Sequence, residues 1–242
     1  MKILNLFLVA LAMNFLVSCN RATTSTEATL KNERDSASFF AGYFLGQSLS
    51  STDMTEPNME AVLAGMNSAL QKKDIGVNPY VMNSVIINYG QKKRAALAIT
   101  NLEKGKKFLE ENAKRSGVVV IEDSIQYEVI TEGNGSKPVA TDEVKVHYEG
   151  KLIDGTVFDS SIERGEPVTF PLNRVIPGWT KALQHMPVGS KWKIFIPSKE
   201  AYGPQGAQGS IGPNETLIFE VELLEIVPPK APTAPEVSAP KR

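Results

Sequence analysis

The stretch VKVHYEGKLIDGTVFDSS, residues 144–161, decides how the second half of the chain folds. Val144, Val146, Tyr148 and Leu152 alternate with Lys145, His147, Glu149 and Lys151. That period of two is the mark of a strand with one face buried and one wet. Asp154-Gly155 follows as a hairpin turn signal. The pattern recurs further along. Trp192, Ile194 and Ile196 alternate with Lys191, Lys193 and Phe195, and Leu217, Phe219, Val221 and Leu223 with Ile218, Glu220, Glu222 and Leu224. IQYEVI, residues 125–130, reads as another strand. One short helix, from Trp179 to about Met186, lies between strands. The expected fold is α+β, with an antiparallel sheet carrying a single short helix on one face.

Before this sheet the period is helical. Phe39, Phe40, Tyr43 and Phe44 form one aromatic stripe from about Glu33 onward, and Met59, Val62, Leu63, Met66 and Leu70 a second apolar stripe. Pro57 suits the opening turn of that second helix. Asn78 and Pro79 are the cap and first residue of a third. The third helix can run to Ser116, with Gly117 as its stop. It is apolar at first (Met82, Val85, Ile86, Tyr89), then thinly apolar and charged, like a solvated rod. Gly90 and Gly105 weaken it and would mark bends. Two short helices make a marginal core alone. A second copy of the chain is the economical way to complete it; packing back onto the C-terminal domain is the other.

The chain opens MKILNLFLVALAMNFLVSCN. Lys2 precedes an apolar run from Ile3 to Val17, short for a membrane span and right for a signal peptide. Leu16-Val17-Ser18-Cys19 resembles the lipobox of bacterial lipoproteins, in which the cysteine is lipidated and becomes the mature N-terminus. The polar run after it reads as a tether, and the Pro-rich end as a disordered tail. The expected divisions are a signal peptide over 1–18, a tether over 19–32, a helical dimerisation region with the long helix over 33–116, the sheet domain over 117–226 and a tail over 227–242.

Composition excludes several chemistries. The net charge of −1 over 242 residues gives nothing that points to nucleic acid. His147 and His185 are the only histidines, too few for a histidine-based metal site. His147 reads as an exposed strand histidine, and His185 as an exposed helical one. Cys19 is the only cysteine, so no disulfide can form within the chain. No nucleophile with a partnered base, no metal cluster and no cofactor motif stands out.

HYEGKLIDGTVFDSS, RVIPGWTKAL, PVGSKWKIFIPSKEAYG and ETLIFEVELLEI, in this order, resemble the FKBP-type peptidyl-prolyl isomerases over residues 117–226. The helical part resembles, more by pattern than by motif, that of the macrophage infectivity potentiator group. The resemblance implies non-covalent isomerisation of X–Pro bonds, with no cofactor and no metal. Trp179 becomes the floor of a proline pocket, with Tyr148, Phe158, Val175, Ile176, Tyr202, Ile211 and Phe219 as walls. Asp159 and Tyr202 are polar groups at its rim, and Asp159, Tyr202 and Phe158 are the residues implied to act in catalysis. The Ile176 N–H is a donor for the substrate carbonyl. Val168 stands where many members have an aromatic residue, which implies a thinner wall. The loop YGPQGAQGSIGPNE, residues 202–215, reads as mobile and as the part that shapes substrate preference. The implied partners are proline-containing unfolded or partly folded proteins, a second copy of the chain, and a membrane reached through a lipid on Cys19. Macrolides of the FK506 kind are candidate ligands. The implied location is the cell envelope, at the outer membrane facing the periplasm. The competing reading is a dimeric holdase clamp with little isomerase activity.

Overall fold

The structure, a computed structural model, describes residues 30–207 and 209–227. Cys19, its lipobox, the tether up to residue 29 and the tail beyond Val227 lie outside the described residues. The chain divides into two compact units, residues 1–48 and residues 49–242.

Helix α1 spans Glu33–Ser51, and its described body makes up the first unit. Asn32 Oδ1 accepts from the Asp35 N–H at 2.9 Å and starts it. Phe39, Phe40, Tyr43 and Phe44 are all exposed, and no residue of α1 is buried. Helix α2 spans Met59–Leu70, also with no buried residue. Asn58 caps it by accepting from the Ala61 N–H, so Pro57 stands before the cap rather than inside the first turn.

Helix α3, Pro79–Asn112, begins as its sequence implies: Asn78 Oδ1 accepts from the Tyr80 N–H at 2.8 Å and Pro79 opens the first turn. It ends earlier than Ser116. Ala113 caps it, and residues 113–116 form turns before Gly117, at φ +87°, leads into strand β1. The expected solvated rod is a docked helix in its second half. Asn101, Gly105, Leu109 and Asn112 are buried, a stripe at helical spacing. Gly90 and Gly105 are places of close approach. A Cβ on Gly90 would overlap the Thr52 carbonyl, and one on Gly105 would overlap Thr216. Position, not bending, explains both glycines.

The sheet comprises β1 (Val118–Val120), β2 (Gln126–Thr131), β3 (Glu143–Leu152), β4 (Val157–Ser160), β5 (Val168–Pro171), β6 (Lys191–Ile196) and β7 (Leu217–Val227). Its order is β1-β2-β6-β7-β3-β4, every pairing is antiparallel, and β5 also pairs with β3. The hairpin after β3 turns at Gly155, φ +91°. Helix α4 runs Pro177–Leu183, two residues earlier at its start and three at its end than expected. A proline at the first helical position loses no hydrogen bond, so Pro177 begins the helix.

Trp179, Ala182 and Leu183 of α4 are buried against Val144, Val146, Ile194, Ile196, Val221 and Leu223. Among the described residues, sixteen buried side chains form this core. On the other face of the sheet α3 packs at Phe195 and Gln126. The Phe108 ring lies 5.9 Å from that of Phe195, which is buried although its place in β6 reads as outward. Gln126 Nε2 donates to the Leu109 carbonyl at 2.8 Å, and Asn112 Nδ2 donates to Gln126 Oε1 at 2.8 Å. These pairs satisfy polar groups that burial would otherwise penalise.

An aromatic cleft floored by Trp179

The site arises where the edge partner of β3 changes. Residues 143–146 pair with β5, residues 149–151 with β4. The chain leaves the sheet between them and opens a cleft. Ser161 fastens this exit: its N–H donates to the Tyr148 carbonyl at 3.0 Å, and its Oγ accepts from the Tyr148 N–H at 2.8 Å. His147 Nδ1 lies 3.1 Å from the same Oγ. His147 is therefore half-buried and hydrogen-bonded, not the exposed strand residue its alternation implies. His185 is exposed as expected.

The cleft encloses about 450 Å³, the size of a small-ligand pocket. Trp179, 4% exposed, is its floor. Tyr148 and Phe219 meet the indole edge-on, with centroids at 5.3 and 5.1 Å, and Phe170 meets it at 5.4 Å. Phe158 stands edge-on to Phe219 at 5.5 Å. Gly150 makes room for that pair, because a Cβ there would come within 2.6 Å of Phe158 Cζ and 2.8 Å of Phe219 Cε1. The backbone after a 3₁₀ turn at Leu172–Arg174 brings Val175 and Ile176 to the wall. No acceptor among the described residues takes the Ile176 N–H. Trp179 Nε1 is buried without a partner among them as well.

Among the described residues, two charged side chains line the cleft, Asp159 and Arg174. The Tyr148 hydroxyl donates to Asp159 Oδ2, and Arg164 Nη1 donates to Asp159 Oδ1. Arg164 Nη2 also donates to the Tyr148 oxygen at 3.2 Å. Burial pushes the Asp159 carboxyl up, but the Tyr148 and Arg164 hydrogen bonds and the arginine charge together hold it below its ordinary value. Burial raises the Tyr148 and Tyr202 phenols, and the Asp159 charge adds to both. Tyr202 is 42% exposed, and its hydroxyl has no partner among the described residues.

Most of the expected site residues converge here: Tyr148, Phe158, Asp159, Val175, Ile176, Trp179, Tyr202 and Phe219. Ile211 does not. It is 9% exposed within the core, bridged through its backbone to Ala207, and is not part of the cleft wall. Val168 does line the cleft, and Phe170, one strand period on, supplies a ring to that wall. Phe170, Arg164 and Arg174 join the site without having been expected there. Phe170 carries a signal in the sequence, a two-residue alternation with Val168 between prolines. Arg164 carries none, because it reaches Asp159 across an irregular turn. The two ends of the loop after Tyr202 are tied to α3. Arg94 Nη2 donates to the Gln205 carbonyl, Asn214 Nδ2 to the Ala98 carbonyl at 3.1 Å, and Asn101 Nδ2 to the Pro213 carbonyl at 2.9 Å.

Among the described residues no cluster of three or more histidine, cysteine or acidic side chains could hold a metal. What the cleft offers is an apolar, aromatic enclosure with a sparse polar rim. Residues 134–224 match the model of the FKBP-type peptidyl-prolyl cis-trans isomerase family, and residues 34–129 that of the domain amino-terminal to such isomerases. The FKBP-type 22 kDa peptidyl-prolyl cis-trans isomerase of Escherichia coli K12 is 47% identical over 209 residues, 85% of this chain and 100% of that protein. The chain belongs to the FKBP-type peptidyl-prolyl cis-trans isomerases. This FKBP-type isomerase is also 37% identical to the outer membrane protein MIP of Legionella longbeachae, over 93% of this chain and 97% of that one. The crystal structure of FkpA from Escherichia coli superposes with a TM-score of 0.63 at 34% identity, covering 82% of this chain and 98% of that one. The helical N-terminal region with its long helix, followed by the antiparallel sheet and short helix, is therefore the arrangement of this group.

An isomerase of this kind makes and breaks no covalent bond. Peptide rotation meets a barrier of about 18–20 kcal/mol because resonance must be interrupted. X–Pro bonds populate both isomers yet exchange over tens of seconds or more. A catalyst need only favour the twisted bond over the planar ones.

Proposed function

We propose that the cleft over Trp179 is the prolyl-binding catalytic site. The observation that carries this is a cleft walled by aromatic rings, in which Asp159, the only carboxylate among the described lining residues, is held by Tyr148 and Arg164. The twisted bond has lost its charge-separated resonance form and is less polar at the carbonyl. An enclosure poor in water therefore favours it over the planar forms. The proline ring sits on Trp179, between Tyr148, Phe158, Val175 and Phe219. The Ile176 N–H, without an acceptor in the described residues, donates to a substrate carbonyl. Asp159, Tyr202 and Phe158 act on the rotating bond from the rim and orient it. The test is the rate of a proline-limited refolding reaction with the chain from Asn20 onward. Acceleration of the slow phase that is lost on blocking the cleft supports the assignment. A folded sample at the uncatalysed rate would overturn it.

The setting we infer is the cell envelope, with proline-containing unfolded or partly folded proteins as substrates. It is supported by the apolar run that ends at Cys19 and by the name of the Legionella relative, an outer membrane protein. Lipid attached at Cys19 anchors the chain at the outer membrane facing the periplasm, and macrolides of the FK506 kind fit the cleft. The N-terminal helices join two chains into a homodimer. The wholly exposed aromatic face of α1 and the absence of buried residues in α2 support this. The same exposed rings favour a second reading, a holdase clamp that binds unfolded chains. A holdase lowers aggregation without shortening the slow refolding phase, so one experiment separates the two.

A further inference from the structure

The charge at the mouth of the cleft is unbalanced. Of its two charged lining residues, Asp159 is matched by Arg164. Arg174 is exposed and has neither an ion pair nor a hydrogen bond among the described residues. Its backbone is nonetheless fixed. It ends a 3₁₀ turn whose Leu172 is fully buried, with the Leu172 N–H donating to the Asp142 carbonyl at 2.9 Å. The Leu172 carbonyl accepts from Thr180 Oγ1 at 2.7 Å. A pinned turn thus carries an exposed guanidinium, with no protein partner among the described residues, on the lip of an apolar cleft, where low-dielectric walls strengthen its field.

We propose that Arg174 is a specificity-determining residue that selects prolyl substrates with an acidic side chain close to the proline. The inference rests on the reading of the cleft as the prolyl site. Arg174 lies two residues before Ile176, whose N–H is open to a substrate carbonyl. A substrate strand running alongside advances about 3.3 Å per residue, so the carboxylate that meets Arg174 falls within about two residues of the proline. A guanidinium can take that carboxylate with two parallel hydrogen bonds. Asp159 does not cancel the attraction, because Arg164 already answers its charge.

The experiment compares peptide pairs that differ only by glutamate or glutamine at the two positions before and the two after the proline. The full chain and its Arg174→Gln and Arg174→Glu variants are assayed at low and high salt. The glutamate-to-glutamine ratio of kcat/KM is read within each variant, so a general change in activity or stability cancels. In the wild type the ratio reaches roughly three- to tenfold for at least one position at low salt. It falls toward one at high salt, is near one in Arg174→Gln, and drops below one in Arg174→Glu. A wild-type ratio of one at every position, or an unchanged ratio in Arg174→Gln, overturns the proposal. Asp159→Leu in the same assay separates the two levels. Its loss of turnover on both members of each pair with a flat wild-type ratio sinks only the role of Arg174. Full retention of turnover removes only the rim carboxylate from the reaction, whereas a folded wild type at the uncatalysed rate sinks the cleft assignment, and this inference with it.

Discussion

A Cβ added to Gly105 of α3 would overlap Oγ1 of Thr216 and stand 3.2 Å from its Cβ. Two effects oppose each other in Gly105→Ala. Helix propensity favours alanine by up to about 1 kcal/mol. Overpacking against a buried side chain costs about 1–3 kcal/mol, and Thr216 is 3% exposed and β-branched, with little room to yield. The steric term wins, so urea unfolding should show a lower midpoint for the variant. A higher midpoint would mean that the helix does not dock on the loop this closely.

Asp159→Leu should lower kcat/KM on a short prolyl peptide by at least about tenfold, roughly 1.4 kcal/mol of transition-state stabilisation. Its ion pair with Arg164 is well exposed, 41% and 45%, so stability should change little. Equal activity of the variant would remove the rim carboxylate from the reaction.

The Asp159 carboxyl sits below its ordinary value in the folded chain. Its contribution to stability is therefore complete above the unfolded value of about 3.9 and is lost as pH falls through the lower folded value. The unfolding midpoint of the wild type minus that of Asp159→Asn should be flat at neutral pH and shrink only in that acidic window. A decline already at pH 6 would contradict the hydrogen bonds from Tyr148 and Arg164.

Glu215 behaves in the opposite sense. Burial raises its carboxyl, and the Asp154 charge adds to this. Its protonated form is favoured in the folded chain, so stability is lost as pH rises from about 4.3 through the raised folded value. Glu215→Gln keeps an oxygen for Asn101 Nδ2, now 2.8 Å from Glu215 Oε1. The variant should equal or exceed the wild type in midpoint at pH 7 and lose that advantage at the acid end. A large loss at pH 7 would show that the charge itself is needed.

The chain from Asn20 should sediment as a dimer, and a fragment from residue 92 to 242 as a monomer. A fragment starting at Gly117 loses the helix that covers Phe195 and the partners of Gln126. Uncovering a buried aromatic side chain costs about 1.5–3 kcal/mol. That shorter fragment should melt several degrees below the longer one. A monomeric chain from Asn20 at micromolar concentration would defeat the dimer.

Strand periodicity makes β3, β6 and β7 legible in the sequence, because each has a core face and a wetter one. Aromatic and aliphatic residues at motif positions likewise identify the floor and most walls of the cleft. The docked face of α3 is not legible, for a physical reason. Its stripe is Arg94, Ala98, Asn101, Gly105 and Asn112, with Phe108 and Leu109 the only large apolar members. It attaches by hydrogen bonds and close approach, which leave no hydrophobic period. Phe195 reads as outward in consequence, although Phe108 of that helix packs on its ring. Arg164 and Arg174 come from irregular turns, where spacing carries no directional information.

The ties from α3 to the loop after Tyr202 make helix and cleft one thermodynamic system. Arg94 holds the Gln205 carbonyl and, through its other nitrogen, Asp53 Oδ1 at 3.0 Å. A ligand large enough to displace that loop must break these bonds, and so loosens the helix. By reciprocity, anything that pulls the helix away weakens the preference of the cleft for ligands that need the loop in place, by the same factor. Force on the helix and occupancy of the cleft are conjugate, and each can be read from the other.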